Sequence, residues 1–481
     1  MATYTAAFDA GTTAVKGALV DENGKVVFSR STELTTLLSG SFQEQRPQDW
    51  WQAFCAIARA MSAAVPPQDI SAVIMSGQMQ DLILLDGSLD PVCPAILYSD
   101  GRAGREASAL EQAVGAERFL QITGNHCDGS LPLPKLMWLR ENRPELYART
   151  AHILISSKDY LNIRLTGVCA GDVTACATAG AMDIRRARWS QTLLTAAGVD
   201  EALFPALFRP GQKIGAVTAR AAQECGLAAG TAVFAGIGDA GATTLASGIR
   251  RPGQYNINLG TSGWVAAVSG NVLETEAGVF NLAAADEGAY INVVPFLNAG
   301  NVHKWIAGVL GGYGETEALL ANSQPGSHGL LCLPYLAGER FPVLDAQARG
   351  CFFGMTPATT ASDLARAALE GVAFSLRQGM EQFPKPPESI SLIGGGARTA
   401  VWCQILADVL EYPVTALADT EFRAARALSR LVHPEPESAP VDGVVYTPRR
   451  ETQDLYRALY TCYRSLYPAL KGLGTSLPAQ G

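Results

Sequence analysis

The sequence predicts a mixed α/β protein made of two similar domains. Its 481 residues are enough for two to four domains at about 150 residues each. Residues 4–20 read as a strand hairpin around the turn Asp9-Ala10-Gly11-Thr12-Thr13. Residues 255–268 repeat that hairpin around Gly260-Thr261-Ser262, about half a chain later. A repeat at that distance indicates two domains that each open with the same hairpin.

Helices and strands alternate between and after the two hairpins. The predicted segments are a helix over 47–64, strands over 70–75 and 82–85, a helix over 135–142 and a strand over 232–235. Interleaved strands and helices are typical of α/β layers. The sequence therefore predicts sheets covered by helices in both halves.

The sequence predicts a division of the chain into three segments. The first predicted domain spans residues 1–245 and the second spans residues 246–431. Residues 432–481 are predicted to be a Pro-rich linker and a C-terminal packing helix. Three prolines near the start of that segment exclude a regular helix or a central strand there.

Composition excludes several classes of protein. The net charge of −8 argues against nucleic acid as the main partner. No stretch of about 18 apolar residues and no signal peptide are recognisable, so we expect no membrane association and a cytoplasmic protein. The ten cysteines lie scattered without a C-x-x-C pair, which predicts buried thiols in a reducing compartment. A homodimer is compatible with the sequence.

The first turn combines groups that suit a nucleotide. Asp9 ends a strand, and Gly11, Thr12, Thr13 and Lys16 follow it. A carboxylate suits Mg²⁺ or its waters, while N–H groups and hydroxyls suit phosphate oxygens. An ordinary Asp-Gly turn is the alternative. The second copy of the hairpin favours the phosphate interpretation.

A glycine-rich run carries the candidate catalytic carboxylate. Residues 236–241 formally match G-x-G-x-x-G, but Asp239 would put a negative charge beside a pyrophosphate and no acid about 20 residues on could hold a ribose. We therefore reject a dinucleotide site. A carboxylate at a strand-to-helix junction is suited to take a proton from a substrate hydroxyl. The alternative is a simple helix N-cap.

Two further regions offer binding groups. Gly394-Gly395-Gly396-Ala397 follows a strand and precedes a helix from about residue 399, so its N–H groups suit an α-phosphate or a base, or else form a tight turn. Gln78-Met79-Gln80-Asp81 lies between two strands and offers polar groups for sugar hydroxyls, or else is a plain loop. Asp100 and Arg102 present the same choice between a substrate contact and a surface ion pair. No metal is assigned to the five histidines.

Together these segments resemble the FGGY family of carbohydrate kinases. Both family signatures are present, at 130–142 and at 350–370. The resemblance covers nearly the whole chain and also includes residues 8–12, 77–79, 94–102, 122–125 and 446–450.

The resemblance implies a fold and an activity. The fold is two actin-like domains, of the ribonuclease H-like sugar kinase/Hsp70/actin superfamily, around a central cleft with the sugar on the first domain and ATP mainly on the second. The activity is ATP-dependent phosphorylation of a ketopentose hydroxyl, D-xylulose to D-xylulose 5-phosphate. The alternatives are another sugar or polyol, such as ribulose, arabinitol, sedoheptulose or a glycerol-like substrate, and a non-catalytic sugar- or nucleotide-sensing protein.

Site residues carry over by matched position. Asp239 is implied as the catalytic base that also contacts substrate, and Asp9 as the residue that organises Mg²⁺. The implied contacts to ATP are Gly11, Thr12, Thr13, Lys16, Gly260, Thr261, Ser262, Gly395, Gly396 and Ala397. The implied contacts to the sugar are Gln78, Met79, Gln80, Asp100 and Arg102.

Two segments depart from the family pattern. Gln80 and Asp81 stand where the family carries His-Gly, which predicts a changed sugar site. Residues 421–428 are bulkier and more charged than the small-residue helix of the family, which predicts a changed affinity for ATP.

Overall fold

Two seven-stranded sheets organise the chain. The computed structural model describes residues 3–40, 42–274, 278–418, 422–434 and 442–474. The strands of the first half are β1 (Tyr4–Ala10), β2 (Ala14–Asp21), β3 (Val26–Glu33), β4 (Leu37–Ser39), β5 (Phe42–Gln45), β6 (Ile70–Gly77), β7 (Ile83–Leu85), β8 (Ala95–Ile96), β9 (His152–Leu154), β10 (Ala170–Asp172), β11 (Met182–Asp183), β12 (Arg188–Trp189), β13 (Ala206–Phe208), β14 (Lys213–Ala216), β15 (Ala232–Phe234) and β16 (Ile237–Gly238). Its helices are α1 (Pro47–Ala64), α2 (Gly104–Val114), α3 (Ala116–Thr123), α4 (Pro132–Asn142), α5 (Pro144–Arg149), α6 (Ser157–Thr166), α7 (Val173–Cys176), α8 (Gln191–Ala197), α9 (Ala219–Cys225) and α10 (Asp239–Ala246).

The second half also alternates strands and helices. Its strands are β17 (Gln254–Leu259), β18 (Gly263–Ser269), β19 (Phe280–Ala283), β20 (Tyr290–Phe296), β21 (Leu331–Leu333), β22 (Cys351–Phe353), β23 (Ser389–Ile393), β24 (Val414–Leu417) and β25 (Gly443–Tyr446). Its helices are α11 (Gly300–Val309), α12 (Tyr313–Ala321), α13 (Ala361–Met380), α14 (Ala400–Leu410), α15 (Arg423–Val432) and α16 (Gln453–Gly474).

The two large sheets repeat one topology. The first contains the run β3-β2-β1-β6-β15-β14 and the second the run β20-β18-β17-β23-β24-β25. The pairings along both runs are antiparallel, antiparallel, parallel, parallel and antiparallel. This internal repeat confirms the predicted fold class of two similar α/β domains.

Local sequence patterns located the elements well. The helix predicted over 47–64 has those bounds, and the strand predicted over 70–75 extends to Gly77. The helix predicted over 135–142 begins earlier, at Pro132, because proline is well suited to the first turn of a helix. The last strand of the second sheet, β25, follows the proline-rich segment, of which residues 435–440 lie outside the described part.

Apolar cores lie within each half and between the halves. Phe8 and Phe54 pack against each other in the first half, with ring centroids 4.4 Å apart and ring planes tilted by 37°. A separate cluster joins the halves, because Leu133 and Met137 of α4 belong to the same core as Ile291 of β20. The two halves are therefore packed together along one side.

A fully buried ion cluster supports the first domain behind β6. Lys158 contacts Asp159, and its Nζ lies 2.7 Å from Asp172 Oδ2, with all three side chains excluded from solvent. Burial opposes the charge of Lys158, but the two carboxylates outweigh it and raise the pKa of this lysine. The backbone of Lys158 packs against Gly77 at the end of β6, where an added Cβ would lie 2.9 Å from the Lys158 backbone nitrogen.

Replacing Lys158 by an uncharged residue should lower the stability of the protein. We expect Lys158→Met to lower the free energy of unfolding by about 3–5 kcal/mol, because two buried carboxylates lose their counter-charge. Urea denaturation measures the loss. Lys25→Met, at an exposed turn, is the control and should change stability by less than about 0.5 kcal/mol. Equal effects of the two substitutions would contradict the assigned role of the cluster.

In the described part of the chain, no helix has the length and apolar character to cross a membrane.

Candidate active site

Two carboxylates meet at one edge of the first sheet. Asp9 is the next-to-last residue of β1 and pairs in register with Ser76 of β6, whose Oγ donates to Asp9 Oδ1 at 2.8 Å. On the other side of β6, Ile237 of β16 pairs with Ser76, and Asp239 follows directly as the first residue of α10. Because the carboxyl ends of parallel strands share one edge, Asp9 and Asp239 face the same opening.

The glycines around Asp239 serve close packing. A Cβ at Gly236, whose φ is +73°, would lie 2.0 Å from the Met75 carbonyl oxygen. A Cβ at Gly238 would lie 2.2 Å from the sulfur of Met79. The G-x-G spacing thus lets β16 lie against β6 and sets Asp239 at the edge of the sheet.

The environment of Asp239 suits proton transfer near neutral pH. Its carboxylate is open to water from one side, and Oδ1 accepts a hydrogen bond from the Ala240 N–H at 2.7 Å. Protein surrounds it on the other sides, and this loss of hydration raises the pKa of Asp239 to about 7. The nearby charge of Asp9 acts in the same direction. A carboxylate with that pKa can take up and release a proton at working pH.

The first turn is tied to the strand behind it. Thr12 Oγ1 donates to Gln78 Oε1 at 2.8 Å, and Gln78 Nε2 donates to Gln45 Oε1 at 3.0 Å. Gln45 Nε2 closes the ring by donating to the Thr12 carbonyl at 2.7 Å. Gln78 is fully buried by these contacts, so it holds the turn in place. Thr13 and Lys16 stay exposed beside it.

Met79 and Gln80 continue from β6 into the site. Met79 packs against Gly238, and Gln80 has a left-handed backbone with φ +64°. Asp81 is fully buried next to Lys135, whose ammonium donates to the Leu97 carbonyl at 2.7 Å and to the Gln80 carbonyl at 3.3 Å. Burial raises the pKa of Asp81 and lowers the pKa of Lys135 to about 8.

Asp100 and Arg102 form an internal cluster. Arg102 donates to both oxygens of Asp100 and to Glu44, and its guanidinium lies 3.9 Å from the centre of the Phe42 ring. Burial opposes ionisation of Asp100, but hydrogen bonds from Arg102 and from the Gln43 N–H outweigh it and lower the pKa. Both oxygens of Asp100 are therefore engaged within the first domain, and a sugar contact by either residue stays a prediction.

The second half contains a cavity of about 690 Å³ beside its own hairpin turn. It brings together the two predicted phosphate-binding segments, because Gly260 and Thr261 line it from one side and Gly395 and Gly396 from the other. The remaining lining residues are Leu259, Gly300, Asn301, His303, Lys304, Tyr313, Glu317, Arg398, Thr399 and Trp402. Ser262 and Ala397, also predicted, are not among the lining residues.

Each glycine of the 394–396 run has a different environment. Gly394 has φ +94°, and an added Cβ there would lie 2.6 Å from Asn258 Oδ1. A Cβ at Gly396 would lie 2.7 Å from the Trp402 ring. At Gly395 an added Cβ would meet no atom within 4 Å. Two glycines thus allow close packing, and the middle one opens toward the cavity.

The wall formed by α11 and α12 was not predicted from the sequence. Gly300 N donates to the Gly260 carbonyl at 2.8 Å, and Asn301 N donates to the Thr261 carbonyl at 2.9 Å. A Cβ at Gly300 would lie 2.3 Å from the Gly260 oxygen, so only glycine fits this contact. In the sequence, a glycine follows Ala299 at the start of a helical pattern, which indicates a helix start. It does not indicate that Gly300 contacts Gly260.

The carboxylates of Asp9 and Asp239 suit a cation whose other ligands are waters and substrate phosphates. Among the residues described, no group of three or more His, Cys, Asp or Glu could bind a metal. Mg²⁺ commonly takes one or two carboxylates and completes its shell with waters and substrate phosphates. Asp9, at the edge of the site beside the first turn, has the chemistry for that role.

Comparison with protein families agrees with this geometry. The family model for the N-terminal domain of the FGGY family of carbohydrate kinases matches residues 4–246, and the model for its C-terminal domain matches residues 255–425. The chain belongs to the FGGY family of carbohydrate kinases. Members of this family are phosphotransferases, so the chain is a carbohydrate kinase that uses ATP.

Individual FGGY kinases are similar over nearly full length. The xylulose kinase of Escherichia coli K12 is 34% identical over 479 residues, which cover 94% of this chain and 97% of the relative. The crystal structure of xylulose kinase from Rhodospirillum rubrum superposes with a TM-score of 0.91 at 28% identity, covering 97% and 99% of the two chains. Gluconate kinase from Lactobacillus acidophilus superposes with a TM-score of 0.89 at 26% identity, covering 98% of both.

One family departure lies partly outside the described residues. Glu421 is not described, whereas α15 begins at Arg423 and contacts β1 and α10. Arg426 Nε donates to the Gly24 carbonyl at 3.1 Å. The charged residues of this FGGY segment therefore include at least one that joins the two halves, and their effect on ATP affinity stays a prediction.

Proposed function

We propose that this kinase transfers the γ-phosphoryl group of ATP to the 5-hydroxyl of D-xylulose. The observation that carries the proposal is Asp239, a carboxylate with a pKa of about 7 at the edge of the site, close to Asp9. Its position at the strand-to-helix junction suits a base that faces a bound hydroxyl. The choice of D-xylulose is supported by the E. coli relative, at 34% identity.

Asp239 would act on the attacking oxygen. Its carboxylate accepts the proton of the sugar hydroxyl while that oxygen forms a bond to the γ-phosphorus and the bond to the ADP oxygen breaks. Met79 and Gln80, which come after β6 and Gln78, would hold the sugar beside this carboxylate. Gln78 would act indirectly, because its buried amide positions Thr12.

The nucleotide would occupy the cavity of the second half. Thr12 through its N–H and Thr13 from the first hairpin, and Gly260 and Thr261 from the second, would donate to phosphate oxygens from opposite sides. Gly395, which opens toward the cavity, would leave room for the nucleoside. Mg²⁺ would bind near Asp9 and offset phosphate charge.

The reaction also requires a suitable compartment. The ten cysteines are all free thiols, and burial raises the pKa of several, such as Cys127 to about 12. Unmodified thiols of this kind are typical of a reducing, ATP-containing compartment, which supports cytoplasmic location as part of the proposal.

A substrate panel tests the proposal. ADP release is measured with D-xylulose, ribulose, arabinitol, glycerol and gluconate, and the phosphorylated product is identified by mass spectrometry and NMR. We expect the highest kcat/KM with D-xylulose. Highest activity on gluconate would favour the second candidate, which the gluconate kinase neighbour and the Gln80-Asp81 departure support. Sugar binding without turnover would indicate a sensing protein.

The pKa of Asp239 predicts the pH profile. The base must be ionised, so kcat/KM for the sugar should fall about tenfold per pH unit below about 7 and level off above it. The profile is measured from pH 5.5 to 8.5 at saturating ATP and Mg²⁺, with the coupling enzymes in excess at each pH. A profile that is flat across this range would contradict the assigned base.

A further inference from the structure

Gln80 has an unusual backbone at the sugar side of the site. Its φ of +64° is in the left-handed region, which non-glycine residues seldom adopt. It follows Met79, whose sulfur packs against Gly238 directly before Asp239. Such conformations persist where the surroundings enforce them, and they concentrate at functional sites. The hydrogen bonds around Gln80 therefore show how the fold fixes its backbone and its side-chain amide.

A buried cation holds the backbone of this segment. Lys135 Nζ donates to the Gln80 carbonyl at 3.3 Å and to the Leu97 carbonyl at 2.7 Å. The next residue is also fixed, because Asp81 N donates to the Ile155 carbonyl at 3.0 Å. The main chain of Gln80 is thus held on both sides, and only the orientation of its side-chain amide remains to be determined.

The amide of Gln80 is bound by a short polar relay. Gln80 Nε2 donates to Ser130 Oγ at 2.5 Å. Ser130 Oγ in turn donates to Asp128 Oδ1, and Ser130 N donates to the same oxygen at 2.7 Å. The turn that carries this relay is seated firmly, since a Cβ at Gly129 would lie 2.5 Å from the Gly104 nitrogen.

The donors and acceptors along the relay allow only one orientation of the Gln80 side-chain amide. An ionised carboxylate can only accept, so the single proton of the Ser130 hydroxyl goes to Asp128. Ser130 Oγ can then only accept from Gln80, and the NH₂ group of the amide must face it. Oε1 of Gln80 is consequently directed away from Ser130, and no described residue donates to it.

We propose that Asp128 and Ser130 are positioning residues that fix the amide of Gln80, so that its carbonyl oxygen accepts a hydrogen bond from a hydroxyl of the bound sugar. The inference rests on the proposed function. Gln80 Oε1 is then a fixed hydrogen-bond acceptor in the sugar site, which favours substrates that carry a hydroxyl group next to this oxygen. A substrate with an acceptor there would leave the Gln80 oxygen unpaired.

Matched variants of the relay test this inference. Ser130→Ala removes the acceptor for the amide, and Asp128→Ala removes the carboxylate that takes the Ser130 hydroxyl proton, so that this hydroxyl can donate to Gln80 Oε1 and the amide is no longer held in one orientation. We expect each to raise the KM for D-xylulose about tenfold while the KM for ATP changes less than twofold. Ser130→Thr keeps a hydroxyl and should restore the KM to within about threefold of wild type.

Two further measurements separate positioning from stability. The double variant Asp128→Ala/Ser130→Ala should have the same KM for D-xylulose as Ser130→Ala alone, because the single substitution already breaks the relay. Calorimetric titration of D-xylulose without ATP should show the same tenfold weakening. Ser108→Ala, on exposed α2, is the control for loss of a hydroxyl, and thermal unfolding checks that all variants are folded.

The outcomes are distinct. An active wild type whose relay variants keep the KM for D-xylulose within twofold would overturn this inference alone. Equal increases in the KM for sugar and for ATP would also overturn it, because they indicate general disturbance of the fold. A wild type that phosphorylates none of the sugars in the panel would overturn the proposed function and this inference with it.

Discussion

Asp239→Asn should lower kcat for sugar phosphorylation about 10³-fold. The asparagine amide keeps the shape of the side chain but cannot accept a proton from the sugar hydroxyl. Binding should persist, so the KM for ATP should stay within about threefold of wild type. The coupled assay for ADP release measures the rate, and calorimetry measures binding.

The same substitution should also remove the pH dependence and stabilise the fold. The pKa of Asp239 is raised from 3.8 to about 7 in the folded protein, so between these values the folded state holds a proton that the unfolded state releases. Stability contributed by this group therefore falls as pH rises toward 7. At pH 8 the ionised carboxylate is unfavourable, and Asp239→Asn should raise Tm.

A matched control isolates the effect of the position. Asp454→Asn makes the same chemical change at the fully exposed start of α16, and we expect wild-type rates and an unchanged Tm. Full activity of Asp239→Asn would contradict the mechanism. A lost rate combined with a lowered Tm at pH 8 would indicate that Asp239 is needed for folding.

Gly395→Val should raise the KM for ATP at least about 30-fold and leave stability nearly unchanged. The position has no positive φ, and an added Cβ meets no atom within 4 Å, so the fold accepts a side chain there. That side chain would extend into the cavity that we assign to the nucleotide. The kinetics at saturating sugar measure the change in KM.

The neighbouring glycine provides the contrasting variant. A Cβ at Gly396 would lie 2.7 Å from the Trp402 ring and 2.8 Å from Leu259 Cβ. We therefore expect Gly396→Val to lower the free energy of unfolding by about 1–3 kcal/mol through overpacking. If Gly395→Val instead lost stability and kept a normal KM for ATP, the cavity would not be the nucleotide site.

Local patterns in the sequence were sufficient for the main elements. The two hairpins, the glycine runs at 236–241 and 394–396 and Asp239 at a strand-to-helix junction were all recognisable, because each depends on the conformations of adjacent residues. Gly236 and Gly394, both with positive φ, show why these runs are glycine.

Other features depend on partners far apart in the chain. The sequence predicts Gln78, Asp100 and Arg102 as sugar contacts but does not show their internal hydrogen bonds, such as those of Gln78 with Thr12 and Gln45. The cavity wall at Gly300 and the bond from Gln80 to Ser130 were also unseen in the sequence. None of these pairs has a spacing that a periodic pattern could reveal.

The sequence by itself determined which chemical groups the protein has and on which local elements they stand, because turns, strand ends and glycine positions depend on neighbouring residues. Only the tertiary structure decided which groups are free. Protein around the Asp239 carboxylate, which is open to water from one side, reduces its hydration and raises its pKa to about 7, and a buried hydrogen-bond ring occupies Gln78. Both effects arise from desolvation and pairing between segments that the fold brings together.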